Sequence, residues 1–414
     1  MTPKLATSLR GYTASLFLAD LQAGVTVAMV ALPLSLAIAI ASGADPGTGI
    51  ITAIVAGFLI SALGGSRVQI GGPTGAFIVV VHGIIAAHGF DGLVTATFMA
   101  GLILLAAGIL RAGRLVRLVP EAVVNGFTIG IACIIGLSQI KDLMGLKLAH
   151  VPADAVELVP ALWSARDTLS WSAFTVGLVT MVLIVTLRRA APRFPGLIVA
   201  VGLGSALVAL FGLPVDTLTS RYGALPSHLP MPSLPDLSPA RLIVLLPSAL
   251  VIAFLAGVES LLSAVVADRM INGKTRPDAE LLAQGAANIG SAMFGGLPAT
   301  GAIARTATNV RAGGRTPVAG IVHAITILAV MSVAAPLAGR LALPALAGLL
   351  LLTAWNMSEP HHWRRHFRAP GAERALLALT LVLTVLTDLT VAIGAGVALG
   401  LALRWWQSRV RPDH

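Results

Sequence analysis

The sequence has few charged side chains: Asp, Glu, Lys and Arg together make up only 11% of its 414 residues. Apolar residues account for 56%, and the mean hydropathy is +0.89. A water-soluble chain of this length needs far more polar surface to cover itself. The composition therefore excludes a soluble globular protein and predicts a chain embedded in a membrane.

Other features are also missing, and each absence removes a class of protein. Cys133 is the single cysteine and lies in an apolar run, which excludes a disulfide framework. No nucleophile elbow, phosphate-binding loop or zinc motif occurs, so we expect neither an enzyme nor a bound cofactor. The stretch His361–His366 has poor spacing for a metal site, and we interpret it as a topology signal. Residues 1–20 contain no signal-peptide cleavage site, so the first apolar segment is retained.

Apolar runs follow one another along almost the whole chain. A helix needs ~20 apolar residues to cross the hydrocarbon core, and strand-like alternation is absent. Because backbone polar groups in lipid must bond to each other, we predict an all-α membrane protein with about fourteen transmembrane segments. The third and tenth are too short, and too interrupted by Gly and Pro, to cross alone. The approximate limits are 21–42, 46–63, 70–87, 92–110, 122–140, 171–187, 195–212, 242–267, 279–295, 300–310, 317–337, 341–356, 373–388 and 390–406.

The distribution of basic residues sets the orientation. The net charge is +10, and with a cytoplasmic N-terminus 21 of the 28 Lys and Arg fall in inside segments and 6 in outside segments. This bias follows the positive-inside rule. We therefore predict a multi-pass protein of the bacterial inner membrane, surrounded by lipid, with both termini in the cytoplasm. Since the charges are scattered between spans, we expect no nucleic-acid partner.

The two halves of the chain contain a pair of similar Gly/Pro-rich segments. A loop at 213–240 separates a first half at 1–212 from a second half at 241–414. The first half contains Gly71–Ala76 (GGPTGA) and the second contains Gly295–Ala302 (GGLPATGA). With seven spans in each half, the two copies have opposite orientations, which is typical of inverted-repeat transporters with a substrate site at such segments. The alternative is that these residues only allow close helix packing.

The chemistry of the paired segments favours a negatively charged substrate. Pro73 and Pro298 are suited to the first turn of a helix, and Thr74 and Thr300 would lie near the two helix starts. Each helix N-terminus presents free N–H groups and roughly half a positive charge. Two such ends that face each other at the membrane midplane predict an anion site.

Two charged residues inside predicted spans are candidates for function. Arg305 lies one turn into the second short helix, and its planar fork suits sulfate, carboxylate or bicarbonate. The alternatives are that Arg305 reaches the membrane edge or bonds to neighbouring carbonyls. Glu259, with Ser263 on the same helix face, can carry a coupled proton. The alternative for Glu259 is a structural ion pair with Arg305.

Four stretches resemble the sulfate permease (SulP) family of anion transporters. They are Asp20–Ala39 in the first span, Gly72–Thr74 in the third, Glu259–Ser263 in the eighth and Arg305–Gly320 from the tenth onward. The resemblance covers essentially the whole chain. It implies fourteen spans in two inverted seven-segment repeats, with segments 3 and 10 as short half-helices, a core domain that moves against a gate domain, and a homodimer.

The resemblance also implies the position of the anion, between spans three and ten and lined by span one. The matching residues here are Leu34, Ile38, Thr74, Gly75, Ala76, Gly301, Ala302, Ala304 and Arg305. Relatives carry polar or aromatic groups at several of these positions, so backbone N–H groups would take a larger share of the coordination in this chain. Sodium-coupled relatives have Asp with Thr in span eight. Glu259 with Ser263 therefore favours proton coupling over sodium.

The function implied by these features is secondary active transport of a small anion, such as sulfate, bicarbonate or a C4-dicarboxylate, in symport with protons. One alternative is a nucleobase–proton symporter of the same architecture, and another is a voltage-responsive membrane protein that transports nothing. Family members carry a cytoplasmic STAS domain after the last span. Only residues 407–414 follow it here, as expected either for a natural short form or for a shortened chain.

Overall fold

A computed structural model describes residues 2–113, 120–148, 152, 155–191, 195–387, 391, 394–400 and 402. Sixteen α-helices and two short strands, β1 (Gly71–Gly72) and β2 (Thr300–Gly301), occur in the described residues up to 387, and residues 394–400 are also helical. The helices are α1 (Lys4–Ser8), α2 (Ala14–Ala41), α3 (Pro46–Leu63), α4 (Ile78–Ile109), α5 (Glu121–Met144), α6 (Ala155–Ser164), α7 (Trp171–Ala190), α8 (Gly196–Phe211), α9 (Leu218–Tyr222), α10 (Pro239–Ile271), α11 (Pro277–Met293), α12 (Ile303–Arg311), α13 (Val318–Gly339), α14 (Leu343–Met357), α15 (Trp363–Phe367) and α16 (Gly371–Leu386).

The helices confirm the predicted fold class, an all-α membrane protein. Seven helical segments of the described chain are long and apolar enough to cross a membrane: Ala14–Ala41, Pro46–Leu63, Gly75–Ile109, Glu121–Met144, Trp171–Ala190, Pro239–Ile271 and Val318–Gly339. The shorter helices α8, α11, α12, α14 and α16 lie on further predicted spans. The total of fourteen stays a prediction. Of the last predicted span, 390–406, only residues 391, 394–400 and 402 are described, and residues 407–414 lie outside the described part of the chain.

The third and fourth predicted spans form one helical element that is broken at Gly89. A 3-10 turn at Gly75–Phe77 leads into α4, in which Gly89 has φ 69° and ψ 177°. This left-handed region is open to glycine and strained for most other residues. The segment from Gly75 to Gly89 is therefore a short helix, as predicted, and the rest of α4 is the following span.

The helices pack in two groups. The first group consists of α2, α3, α4, α10, α11, α12 and α13, and the second consists of α5, α6, α7, α8, α14 and α16. Helices α2 and α14 also touch, so the groups meet along α2. Strands β1 and β2 belong to the first group because they contact α3 and α10.

Glycines permit close packing of α4 against α11 within the first group. A Cβ atom on Gly285 would lie 2.7 Å from the backbone nitrogen of Leu105 and 2.8 Å from the carbonyl oxygen of Gly101. Both separations are shorter than van der Waals contact, and backbone atoms cannot rotate away. The small residue at this crossing therefore sets the distance between the two helices.

We expect Gly285→Ala to destabilise the protein by roughly 1–3 kcal/mol, the usual cost of overpacking. The purified variant should have a Tm in detergent a few degrees below that of the wild type. Gly202→Ala in α8 is the matched control, since a Cβ there meets no atom within 4 Å. Equal Tm values for the two variants would show that the α4–α11 contact does not limit stability.

Candidate functional site

The two short strands bring the two Gly/Pro-rich segments together. Strands β1 and β2 are antiparallel, with Gly71 opposite Gly301 and Gly72 opposite Thr300. The amide of Ala302 adds a hydrogen bond to the carbonyl of Ile70, with N···O 2.9 Å. Each strand is followed within three residues by a short helix, so the two helix starts are neighbours. The prediction of two short helices with adjacent N-termini is confirmed.

The prolines do not start these helices, contrary to the prediction. Thr74 is the N-cap of the 3-10 turn before α4, and Ala302 is the N-cap of α12. Both prolines therefore lie before the helices. Pro73 directly follows β1, and Pro298 lies two residues before β2. The physical reason is that extended residues are needed for backbone pairing at this depth, and these residues displace the prolines from the first helical turn.

Thr74 and Thr300 also differ in role, although the sequence pattern pairs them. Thr300 lies within β2, and its hydroxyl donates to the carbonyl of Ala256 in α10 at 2.9 Å. Thr74 lies at a helix start, where its hydroxyl donates to Oε2 of Glu259 at 3.0 Å instead of capping the helix. By their N-cap positions, the residue equivalent to Thr74 is Ala302 rather than Thr300.

Glu259 and Ser263 lie one turn apart on α10, next to the first helix start. Glu259 is partly exposed, whereas Ser263 is fully buried. The Oγ atom of Ser263 has no hydrogen-bond partner among the described residues. Glu259 bonds to Thr74, and no ion pair joins it to Arg305 in the described part of the chain. The two predicted coupling residues are therefore near the paired helix starts.

Arg305 is buried behind β1, with 1% of its surface exposed. Its Nη2 donates to Oγ of Ser35 at 3.0 Å and to the carbonyl of Pro73 at 3.1 Å, and Nη1 lies 3.5 Å from the carbonyl of Gly71. Its Nε has no partner among the described residues. The side chain thus bonds to carbonyls of the opposite segment, which was one of the alternatives for this residue. Its positive charge lies beside both helix starts.

The other predicted site residues differ in exposure. Leu34 and Ala76 are partly exposed, and Ala304 is exposed. The remaining predicted residues are buried: Ile38, Gly75, Gly301 and Ala302. Among the predicted site residues, Leu34, Ala76, Glu259 and Ala304 therefore have accessible surface, whereas the others are buried.

The second helix group touches the site directly, a contact that the sequence does not signal. A Cβ atom on Gly75 would lie 2.8 Å from Sδ of Met357 in α14 and 3.5 Å from Cδ1 of Ile135 in α5. Both are apolar residues in apolar spans, indistinguishable by pattern from other core residues. The start of the first short helix therefore lies between the two groups.

Comparison with known proteins agrees with this geometry. The model of the sulfate permease family matches residues 17–379. The chain belongs to this family. It is 41% identical over 392 residues to YvdB of Bacillus subtilis, which is provisionally named a sulfate transporter, and the alignment covers 94% of this chain and 74% of YvdB. It is 33% identical over 392 residues to the bicarbonate transporter BicA of Synechocystis sp., with 91% and 68% covered.

Solved structures show the same fold. The transmembrane domain of a cyanobacterial bicarbonate transporter, BicA, superposes with a TM-score of 0.82 at 30% identity, over 93% of this chain and 98% of that domain. SLC26A9 superposes with a TM-score of 0.87 at 16% identity, over 98% of this chain and 68% of that structure. At 16% identity the second match speaks for the fold alone.

A buried carboxyl group supports the site in this member of the sulfate permease family. Glu280 in α11 accepts hydrogen bonds from the amides of Gly65 and Ser66 at 2.9 and 3.3 Å, from Oγ of Ser260 at 3.0 Å and from Nε2 of Gln284 at 2.9 Å. Charged groups inside a membrane need such partners. Because Ser260 adjoins Glu259, the network connects α10 to the loop that leads into β1.

Gln69 connects the same network to the strand pair. Its Nε2 lies 3.2 Å from both the carbonyl and the Oγ of Ser260, and a Cβ atom on Gly301 would lie 1.5 Å from Nε2. Neither Gln69 nor Glu280 was predicted as a site residue. A carboxyl group near the start of the ninth predicted span was the available signal for Glu280, but its partners are distant in sequence.

Gly72→Ala tests whether the position of Arg305 matters. Gly72 has φ 148°, and its Cβ atom would lie 2.1 Å from Nη1 of Arg305. The guanidinium is the end of a flexible side chain and should move away, while the positive φ adds backbone strain. We therefore expect a folded protein with a lower Tm, and uptake of small anions that falls by about tenfold or more because the fixed charge is displaced.

Gly83→Ala in the same short helix is the control, since a Cβ there meets no atom within 4 Å. Uptake into proteoliposomes and Tm in detergent are measured for both variants. If the two variants transport equally well, the position of the guanidinium does not matter for anion uptake.

Proposed function

We propose that this chain is a secondary transporter of small anions. The observation that carries the proposal is the antiparallel pairing of β1 with β2, which makes two short helices start side by side. Relatives named for sulfate and for bicarbonate transport support the same class of substrate. Sulfate, bicarbonate and C4-dicarboxylates are the candidates.

The anion would bind between the two helix starts. Free backbone N–H groups and the positive ends of two helix dipoles favour a negative charge there. Leu34, Ala76 and Ala304 offer no polar side-chain group near the helix starts, so the backbone would supply most of the hydrogen bonds. Thr74, Gly75, Gly301 and Ala302 would contribute N–H groups or frame the site. Selectivity would then depend on size and charge more than on side-chain contacts.

Arg305 supplies the fixed positive charge of this site. Its guanidinium bonds to the carbonyls of Gly71 and Pro73, which also steadies the chain before the first helix start. An uncompensated positive charge in a low-dielectric site attracts an anion strongly. With Nε unpartnered in the described chain, the side chain also retains one donor.

Alternating access would arise from movement between the two helix groups. The first group then corresponds to the core domain and the second to the gate domain. The contact of Gly75 with Met357 and Ile135 is at their boundary, where relative movement would open or close the site. We further propose two inverted repeats (1–212 and 241–414, linked by 213–240), a homodimer, and a bacterial inner-membrane location with both termini in the cytoplasm.

Protons would be coupled to the anion through Glu259. While the carboxylate is charged, it holds the proton of the Thr74 hydroxyl in a 3.0 Å hydrogen bond. Protonation removes the negative charge and frees the hydroxyl to turn toward an anion at the helix start. Anion and proton would then reinforce each other's binding, as linkage requires. The unpartnered, buried hydroxyl of Ser263 lies one turn away and can accept or donate in the same step.

Replacement of Arg305 tests the anion site. We expect Arg305→Ala to reduce uptake by about a hundredfold, because the site loses its fixed charge, while the protein still folds. Arg305→Lys should restore uptake only in part, since lysine keeps the charge but loses the planar fork. The measurement is a proteoliposome flux panel with sulfate, bicarbonate, chloride and C4-dicarboxylates. Unchanged flux in the Ala variant would reduce Arg305 to a structural residue.

The same panel separates the alternative functions. Labelled uracil tests for a nucleobase–proton symporter, because a carboxyl group at the helix start can accept hydrogen bonds from a base. Charge movement in voltage-clamp recordings without flux of any solute would indicate a voltage-responsive protein. Either result would replace the anion-transport proposal.

Replacement of Glu259 tests proton coupling. Glu259→Gln mimics the protonated state, so we expect it to retain anion binding and exchange but to lose accumulation driven by a proton gradient. Wild-type uptake should rise as the external pH falls, because the anion and the protonated carboxyl favour each other. Accumulation is measured with imposed proton and sodium gradients. Proton-driven accumulation in the Gln variant, or wild-type uptake that follows sodium and ignores pH, would contradict the proposal.

A further inference from the structure

A basic cleft lies along the connection between α14 and α16, and three of its seven lining residues are arginines. A 3-10 turn at Pro360–His362 and helix α15 follow α14 and lead to α16. The cleft formed by this connection has a volume of about 570 Å³. Its polar lining consists of His361, Arg364, Arg365, Arg368 and Glu373.

The cleft has an excess of positive charge. Three guanidinium groups line it together with one carboxyl group, which leaves two positive charges uncompensated. None of the three arginines forms an ion pair with any described residue, and the neighbouring acid Glu359 is bonded to Nδ1 of His362 at 2.9 Å. A topology signal needs only basic residues on one side of the membrane. Convergence of three arginines on one concave surface goes beyond that requirement.

Two tryptophans place the cleft at the depth of lipid headgroups. The rings of Trp355 and Trp363 pack edge to face with centroids 5.5 Å apart, and Nε1 of Trp363 donates to the carbonyl of Ser358 at 2.7 Å. Trp355 is 55% exposed. Tryptophan is enriched at the membrane–water interface, where the ring contacts acyl chains and the indole N–H remains hydrogen-bonded. The adjacent arginines therefore lie where phosphate groups are found.

We propose that this cleft binds the headgroup of a phospholipid that carries two negative charges, drawn from the cytoplasmic leaflet. Arginine binds phosphate oxygens through paired hydrogen bonds, and basic clefts on the cytoplasmic side of membrane proteins suit headgroups with more than one phosphate. Two charges on the lipid match the two uncompensated charges of the cleft. A headgroup bound here fixes the connection between α14 and α16, both in the second helix group, to the membrane surface.

The test is lipid binding by the full chain. Protein purified in detergent is titrated with diphosphatidylglycerol, with phosphatidylglycerol and with phosphatidylcholine, and bound lipid is counted by native mass spectrometry. Arg365→Gln combined with Arg368→Gln should weaken binding of diphosphatidylglycerol by about 30-fold, the factor that two basic side chains contribute at an anionic surface. Arg188→Gln with Arg189→Gln is the matched control, since these arginines are also exposed and lie at the end of α7.

Further measurements test whether charge alone is sufficient, whether each variant is folded, and whether the bound phosphate belongs to a lipid. Arg365→Lys with Arg368→Lys keeps the charge and should recover most of the binding, and the Tm of each variant shows that it is folded. Equal lipid binding by the wild type and the Gln double variant, or an equal loss in the α7 control, would overturn the proposal. So would tight binding of inorganic pyrophosphate with no preference among the three lipids, which would indicate a soluble phosphate ligand.

Discussion

The pairing of four backbone residues, two from each half of the chain, is the interaction on which the rest of this structure depends. Extended backbone inside a membrane leaves N–H and C=O groups without helical partners, and lipid offers none. The β1–β2 pairing provides hydrogen-bond partners for some of these N–H and C=O groups. Side chains satisfy more: Asn309 Nδ2 donates to the carbonyl of Val68 at 2.8 Å, and Asn288 exchanges two 2.9 Å hydrogen bonds with the backbone of Ala299. Polar residues in apolar spans thus make two interrupted helices possible.

Two buried charges are then held by neutral groups rather than by each other. Arg305 bonds to carbonyls and to a serine hydroxyl, and Glu280 accepts from two amides, a hydroxyl and an amide side chain. A buried ion pair would cancel its own field, whereas a charge solvated by dipoles keeps part of its potential. This arrangement leaves positive potential at the helix starts, where an anion would bind. The hydrogen bond between Thr74 and Glu259 adds a group that can change its charge at the same place.

Family membership and substrate are separate questions for this chain. A protein named for sulfate and one named for bicarbonate align with it over more than nine-tenths of its length. The shared fold therefore identifies the family and leaves the identity of the substrate open. The predicted site residues with accessible surface, Leu34, Ala76 and Ala304, have no polar side-chain groups that could discriminate between anions. Flux measurements must therefore decide the identity of the anion.

The sequence by itself determined the fold class, because hydropathy and charge bias report directly on the lipid environment. It also located the short third and tenth segments, since Gly and Pro clustered within a few residues disfavour a continuous helix. Only the tertiary structure decided which groups form hydrogen bonds with the predicted site residues. Thr74 bonds to Glu259, and Arg305 bonds to Gly71 and Pro73, although these residues are distant in sequence. The prolines lie before the helix starts because the strand pair takes up the residues around them. Periodicity reports the face of a helix, whereas hydrogen-bond partners in a membrane are set by which unsatisfied backbone groups lie within reach after the helices have packed.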